Sequence, residues 1–137
     1  MNLNEINLAI IFSYAINRSK DDVLLDKEAV LAALKKRESE GSTGMGEGIA
    51  IPHAKSDKIV EPVVLYGQSE QGVDWDSMDG SLAHNIFMIL VPEKYQGDLH
   101  LKILQMLSRK LVSPDFRTKL DEAKTIEEIY NVLKTVS

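Results

Sequence analysis

The residues best suited to chemistry lie between Gly41 and Ala54, where a glycine-rich stretch leads into a histidine. Four glycines occur in the eight positions from Gly41, and the run 49–52, Ile-Ala-Ile-Pro, ends immediately before His53. A phosphorylated histidine needs a neutral ring nitrogen as nucleophile, a fixed acceptor for the other nitrogen, and donors around the phosphoryl oxygens. Glycines let backbone amides converge on an anion, and the hydroxyls of Ser42 and Thr43 add donors. The segment therefore predicts phosphoryl transfer at His53.

The same segment also fits a glycine-rich turn leading into a strand that merely contains a histidine, and the residues alone leave both interpretations open. Two nucleotide motifs are excluded for residues 44–48, Gly-Met-Gly-Glu-Gly. A dinucleotide fingerprint needs its third glycine at another position and a helix after it, and a P-loop ends in lysine and a hydroxyl residue. Nucleotide binding at this loop is therefore not predicted.

His84 and His100 are the two other histidines. His84 lies beside a predicted buried strand, so we expect it to be structural. His100 falls in the first turn of a predicted helix, where the dipole disfavours a positive imidazole. Its spacing turns the ring towards an apolar stripe that includes Leu104, Leu107 and Leu111. Both a neutral donor near a phosphoryl oxygen and a core histidine fit that position.

A metal site made of His53, His84 and His100 is a distant alternative. The three histidines lack the short-range spacing of a helical or hairpin metal site, and no carboxylate accompanies them in the sequence. We therefore predict neither a metal nor a cofactor.

Hydrophobic periodicity predicts two helices ahead of the glycine-rich stretch. The apolar spacing from Leu3 to Ile16 predicts the first, and Asp26 is the predicted N-cap of the second. Val30, Leu31 and Leu34 should face inward in the second helix. The basic residues 35–37 are expected in its last turn, where cations suit the helix dipole.

The middle of the chain is predicted to form strands. Pro52 lacks a backbone donor, so the segment before His53 is an edge strand or the end of one. Residues 86–91, Ile-Phe-Met-Ile-Leu-Val, form a continuous apolar run ended by Pro92, which is typical of a strand buried on both faces. Further predicted elements are a strand at residues 62–68, a short strand at 73–75 and a turn at Asp79-Gly80.

The C-terminal third is predicted to be helical. Asp98 can cap a helix, Ser113-Pro114 is an N-cap with proline at the first helical position, and Thr125 with Glu128 forms a capping box. The order of helices, strands and helices predicts an α/β fold with a single mixed β-sheet flanked by helices on its faces. The helix after Asp98 carries an apolar stripe of Leu101, Leu104, Leu107 and Leu111.

Length and composition predict a single domain over residues 1–137. The absence of cysteine excludes disulfides, thiolate chemistry and cysteine-based zinc sites, and it fits a reducing cytoplasm. A formal net charge of −5 argues against nucleic-acid binding, which requires a basic surface. The apolar stretch 8–16 follows no positive charge and is too short to span a membrane, so a cytoplasmic protein is predicted.

Three groups of residues closely resemble the active-site signature of the fructose/mannitol-type enzyme IIA domains of the bacterial phosphoenolpyruvate-dependent sugar phosphotransferase system. They are Arg37-Glu38, Gly41-Ser42-Thr43-Gly44 and residues 48–54, Gly-Ile-Ala-Ile-Pro-His-Ala. The likeness continues through Asp79-Gly80, the strand ending at Pro92 and His100-Leu101, and it covers the chain from about Leu3 onwards.

This resemblance implies an enzyme IIA fold and the activity of a phosphotransferase component. In such domains the matching histidine, His53 here, takes a phosphoryl group from the carrier HPr and passes it to a cysteine of enzyme IIB during sugar uptake. His100 and Arg37 would support catalysis, and any contact with the membrane would be indirect, through enzyme IIC. The predicted phosphate-binding residues are Ser42, Thr43 and Gly44.

A regulatory phosphocarrier of the nitrogen-related branch would use the same histidine on the same fold, and it is the alternative function. The helical pattern begins close to Met1, without the extended segment with which such domains usually start. We therefore expect one strand fewer in the sheet. An open sheet edge is a template for pairing, and the first helix is very apolar, so we favour a homodimer over an edge covered by that helix.

Overall fold

The computed structural model describes residues 11, 16, 23–94 and 99–135, without the side chains of residues 99, 100, 104 and 126. The chain divides into two compact units, Met1–Gln96 and Gly97–Ser137. The first unit contains the strands and the predicted histidine site. The second contains the C-terminal helices, and each unit is described by itself.

Helix α1, Lys27–Glu40, begins where the sequence predicts, because the Asp26 side chain accepts a hydrogen bond from the Ala29 amide at 3.1 Å. Val30 and Leu34 are buried on its inner face, as predicted. The helix ends later than predicted from the basic residues 35–37, because no helix-terminating residue occurs before Gly41. Of the basic residues 35–37, only Arg37 therefore lies in the last turn.

The described part of the first unit contains a five-stranded mixed sheet, which confirms the predicted sheet type. Its strands are β1 (Gly44–Gly46), β2 (Ile49–Ala50), β3 (His53–Ser56), β4 (Val63–Val73) and β5 (Ala83–Pro92). Strands β2 and β3 lie parallel to β5 in one unbroken register, with Ile49 opposite Asn85 and His53 opposite Ile89. Strand β4 pairs antiparallel with β5, and β1 pairs antiparallel with β2.

Pro52 interrupts the line formed by β2 and β3 because it has no amide hydrogen to donate. Its carbonyl still accepts a hydrogen bond from the Ile89 amide at 2.9 Å. The prediction of an edge strand before His53 is wrong, because β2 is paired on both sides, with β1 and with β5. The alternative prediction, the end of a strand, describes Ala50 correctly.

Two other boundaries differ from the prediction. The glycine-rich stretch, predicted as a loop, contains β1 and makes a hairpin with β2. Val73 ends the long strand β4 and does not start a separate strand. The pairing with β5 shifts register between Gln68 and Val73, and the strand continues through that shift. Strand β5 is confirmed as the buried run, and every residue from Asn85 to Pro92 is buried.

The second unit consists, in its described part, of α2 (Leu99–Leu111), α3 (Pro114–Glu122) and α4 (Ile126–Leu133). Ser113 and Thr125 cap α3 and α4 as predicted, accepting from the amides of Phe116 and Glu128. Leu107 and Leu111 are buried, but Leu101 is 46% exposed, so its place in the apolar stripe was predicted wrongly. The predicted cap at Asp98 lies outside the described residues.

Ile11 and Ile16 are helical, and Ile16 is buried, in agreement with the predicted first helix. The rest of that helix lies outside the described residues, as does the expected loss of a strand near Met1. No helix in the described ranges is long and apolar enough to cross a membrane.

Candidate functional site

The imidazole of His53 is held at both ring nitrogens. Its Nδ1 lies 3.0 Å from the carbonyl oxygen of Ile51, and the Nε of Arg37 lies 3.2 Å from its Nε2. A carbonyl oxygen can only accept and a guanidinium can only donate, so the hydrogen is on Nδ1 and the lone pair is on Nε2. The geometry thus assigns a neutral ring whose Nε2 is the basic, nucleophilic nitrogen.

Arg37 reaches the ring from the last turn of α1, a helix that packs against β3. Its Nη1 also donates to the carbonyl oxygen of Gly41 at 2.8 Å, just past the helix end. Two donors of one rigid guanidinium are therefore aimed at two separate acceptors. Arg37 and His53, predicted to act together, are in direct contact.

Among the predicted phosphate-binding residues, the hydroxyls of Ser42 and Thr43 and the amides of Thr43 and Gly44 donate within the protein. The Ser42 hydroxyl donates to the carbonyl oxygen of Trp75 and accepts from the Gly44 amide at 3.0 Å. The Thr43 amide and hydroxyl both donate to the carboxylate of Glu38, the amide at 2.6 Å. Phosphate binding by these residues stays a prediction, and an anion would have to replace these bonds.

Glu38 and Trp75 are part of the site's framework, although sequence reasoning assigned neither a role. The Trp75 indole Nε1 donates to Glu38 Oε1 at 3.1 Å and lies 3.0 Å from Thr43 Oγ1. Thr43 is 3% and Trp75 is 1% exposed, so these polar groups depend on protein partners. The single tryptophan of the chain was the available signal, because a buried indole N–H usually has a hydrogen-bond acceptor.

The turn between β1 and β2 is fixed by Asp79, at the predicted Asp79-Gly80 turn. Gly46, Glu47 and Gly48 all have positive φ, and a Cβ on Gly46 would lie 2.8 Å from Asp79 Oδ2. The amide of Glu47 donates to the Asp79 carboxylate at 2.9 Å. That bond, together with bonds from the Ser81 amide and hydroxyl, lowers the pKa of Asp79 to about 2.

His84 has a different environment from His53. Its Nδ1 donates to the carbonyl oxygen of Ser69 at 2.8 Å, and its ring lies against Gly72. His100 falls in α2, but its side chain lies outside the described residues. Within the described ranges, no group of three histidine, cysteine, aspartate or glutamate side chains is placed to hold a metal ion.

A half-buried histidine of this kind can attack an electrophilic phosphorus. The Nε2 lone pair is directed at the Arg37 guanidinium, which is a natural binding group for phosphoryl oxygens. Nδ1 already carries the hydrogen and donates it to the Ile51 carbonyl oxygen. The ring therefore needs no tautomer change before attack.

The sequence is similar to those of known phosphotransferase-system proteins. It is 47% identical over 111 residues to the fructose-specific EIIA component of Haloferax volcanii, covering 81% of this chain and 71% of that protein. It is 42% identical over 110 residues to the fructose-specific EIIABC component of Bacillus subtilis, covering 80% of this chain but 17% of that much longer protein.

The fold is similar to that of the nitrogen regulatory protein IIA-Ntr from Neisseria meningitidis. The two share 30% identity with a TM-score of 0.83, over 91% of this chain and 85% of that one. The family described as "Phosphoenolpyruvate-dependent sugar phosphotransferase system, EIIA 2" matches residues 8–136. Because that match spans nearly the whole sequence, the chain belongs to the EIIA 2 family and is a phosphotransferase component of the sugar phosphotransferase system.

Proposed function

We propose that His53 carries the phosphoryl group of this phosphotransferase component, on Nε2. The observation that supports this assignment is the pair of hydrogen bonds on the ring. Ile51 holds the hydrogen on Nδ1, and Arg37 faces the lone pair of Nε2. A relay histidine needs an unprotonated nucleophilic nitrogen and an oriented ring, which the bond at Nδ1 provides. Arg37 must release the Nε2 lone pair before that nitrogen attacks phosphorus.

Transfer of the phosphoryl group from HPr to His53 replaces one nitrogen–phosphorus bond by another. The Nε2 lone pair forms a new nitrogen–phosphorus bond while the bond to the donor nitrogen of HPr breaks, and that electron pair remains on the donor. The onward step is the attack of an enzyme IIB cysteine thiolate on phosphorus, which forms a sulfur–phosphorus bond and returns the lone pair to Nε2. The hydrogen stays on Nδ1 throughout and is donated to the Ile51 carbonyl oxygen.

Arg37 has a separate task in each state of the ring. In the resting state its Nε donates to Nε2. Once Nε2 is bonded to phosphorus, its lone pair is used, and the guanidinium becomes available to the phosphoryl oxygens next to it. His100 stays a predicted second donor.

We infer that the chain serves sugar uptake, with a fructose-type sugar favoured by the names of the two relatives. The name of the Bacillus subtilis relative joins EIIA, EIIB and EIIC, which supports enzyme IIB as acceptor and an association with enzyme IIC. Indirect contact with the membrane through enzyme IIC stays a prediction of the resemblance. A cytoplasmic location and a homodimer remain predictions of the sequence.

A nitrogen-related regulatory role is the second candidate, favoured by the likeness to IIA-Ntr. The two roles differ in the acceptor and not in the chemistry of His53. The two roles can be distinguished by mixing the phosphorylated protein with a fructose-type enzyme IIB. Rapid transfer of the phosphoryl label to an enzyme IIB cysteine supports the role in uptake. Label retained on His53 in the presence of active IIB supports the regulatory role.

The assignment of His53 is tested by incubation with phosphoenolpyruvate, enzyme I and HPr, followed by mass measurement. The parent chain should gain one phosphoryl group, labile in acid and stable in base. His53→Ala should gain none, because it lacks the nucleophilic ring nitrogen.

His84→Gln is the matched control, since it alters another histidine of the first unit that has its own carbonyl partner. It should be labelled like the parent. Equal labelling of His53→Ala and the parent would show that another residue is the acceptor.

A further inference from the structure

The hydrogen bonds around His53 form a closed circuit that passes through a residue outside the reacting groups. From the ring, Nδ1 donates to the Ile51 carbonyl, and the Ile51 amide donates to the Thr43 carbonyl at 3.0 Å. The Thr43 amide and hydroxyl then donate to the Glu38 carboxylate. Glu38 is bonded in sequence to Arg37, whose Nε returns to the ring at Nε2.

Glu38 is the anchor of this circuit because one carboxylate accepts from several groups. Its Oε2 accepts the Thr43 amide at 2.6 Å, and its Oε1 accepts the Thr43 hydroxyl and the Trp75 indole, the latter at 3.1 Å. Hydrogen bonds to a charged acceptor are stronger than neutral ones, and here both donor residues, Thr43 and Trp75, are buried. The carboxylate thus ties α1 to the start of the glycine-rich stretch and to the segment after β4.

We propose that Glu38 is a positioning residue for phosphoryl transfer, acting on both ring nitrogens of His53. Through Thr43 it fixes the Ile51 carbonyl that holds the Nδ1 hydrogen. By fixing the chain just beyond α1, it also fixes the Gly41 carbonyl on which Arg37 rests. The inference rests on the proposed role of His53 but makes a claim about its ring that can be measured without any phosphoryl donor.

Glu38→Gln is the sharpest test of this claim. The amide keeps the size of the side chain but has one acceptor oxygen and an NH₂ group, so the Thr43 amide, Thr43 hydroxyl and Trp75 indole cannot all be satisfied. Glu40→Gln is the matched control, because it removes the same charge from the exposed last residue of the same helix.

The first readout is the ¹⁵N chemical shifts of the His53 ring at pH 8. The parent and Glu40→Gln should show the Nδ1–H tautomer, and Glu38→Gln should show a mixture of both tautomers. The second is the rate of phosphorylation by phosphorylated HPr. We expect kcat to fall about 10-fold to 100-fold with little change in KM, the loss typical when groups that orient metal-binding histidines through a partner are removed.

Thr43→Val keeps the amide and removes the hydroxyl, and it completes a double-mutant cycle. If Glu38 acts on the His53 ring through its hydrogen bonds to Thr43, phosphorylation of Glu38→Gln/Thr43→Val should be no slower than that of Glu38→Gln alone. Additive losses would overturn the proposal, as would parent-like ring shifts and kcat in a folded Glu38→Gln. If the parent itself is never phosphorylated, the proposed function fails, whereas the ring shifts still decide the role of Glu38.

Discussion

At the scale of the residue, the hydrogen-bond partners of His53 select the tautomer of its ring. A free neutral imidazole exchanges its hydrogen between two nitrogens, and only one tautomer presents a lone pair where it is needed. Here a carbonyl on one side and a guanidinium on the other select the Nδ1–H form. His84 has a comparable carbonyl bond at Nδ1, but its ring is packed against Gly72.

Arg37→Lys should slow phosphoryl transfer because a lysine offers one compact ammonium in place of two donors at fixed angles. The lysine ammonium cannot donate to both the Gly41 carbonyl oxygen and the Nε2 of His53, as the guanidinium does. Removal of a single oxyanion donor costs about 100-fold to 1,000-fold in kcat elsewhere, which is an upper bound for a half-buried ring that water can reach.

The measurement is the rate of labelling of Arg37→Lys by phosphorylated HPr. Arg109→Lys, at an exposed arginine of α2, is the control and should keep the parent's rate. A parent-like rate for Arg37→Lys would mean that charge alone matters at this position.

At the scale of the element, the β1–β2 hairpin depends on a carboxylate from a distant turn. Three consecutive residues with positive φ are costly for a chain of L-amino acids, and glycine at two of the positions reduces that cost. The remaining residue, Glu47, has its amide held by Asp79. The turn is therefore specified jointly by its own glycines and by residues more than thirty positions later.

Asp79→Asn should destabilise the protein at neutral pH and much less in acid. The pKa of Asp79 is lowered in the folded protein from 3.8 to about 2 by the Glu47 amide and the Ser81 donors. Its stabilising effect is thus complete above about pH 4 and is lost as the pH falls towards 2.

Melting temperatures of the parent and Asp79→Asn, measured from pH 7 down to pH 2, test this dependence. Their difference should shrink across the interval between pH 4 and 2. Asp57→Asn, at an exposed turn, controls for the loss of a negative charge. A difference that does not vary with pH would mean that the Asp79 charge contributes nothing to stability.

At the scale of the whole molecule, we propose that residues 1–137 unfold as one domain, as the length of the chain predicts. The first unit has its core around β5, and Phe116 and Leu120 of the second unit are buried. The single tryptophan, Trp75, is buried in the first unit, so its fluorescence reports on the unfolding of that unit. Unfolding of the first unit can therefore be compared with the loss of secondary structure in the whole chain.

Leu120→Ala should lower the free energy of unfolding by about 2–5 kcal/mol, because it leaves a cavity at a fully buried site. If the chain is one cooperative domain, urea unfolding followed by Trp75 fluorescence shifts to lower urea together with the far-ultraviolet circular dichroism. Thr118→Ala, at an exposed position of the same helix, should shift neither. A Trp75 transition that stays in place would show that the units unfold independently.

The sequence by itself determined the features that depend on near neighbours. Asp26, Ser113 and Thr125 begin their helices as predicted, because a cap bonds to an amide only a few residues away. The apolar run of β5 and its end at Pro92 follow from the local pattern. His53 was predicted as the phosphorylated residue from the glycine-rich stretch and the resemblance it carries, with His100 and Arg37 as supporting residues, and this assignment stays a prediction.

Only the tertiary structure decided which groups meet across the chain. Glu38, Thr43 and Trp75 are separated by as many as 37 positions, and no periodicity relates them, so their contact depends on how α1 and the sheet pack. The same holds for the alignment of β2 and β3 along β5, and for the exposure of Leu101. Sequence patterns record which residues prefer burial, whereas the choice of partner, and with it the tautomer of His53, is made by the register and packing of distant elements.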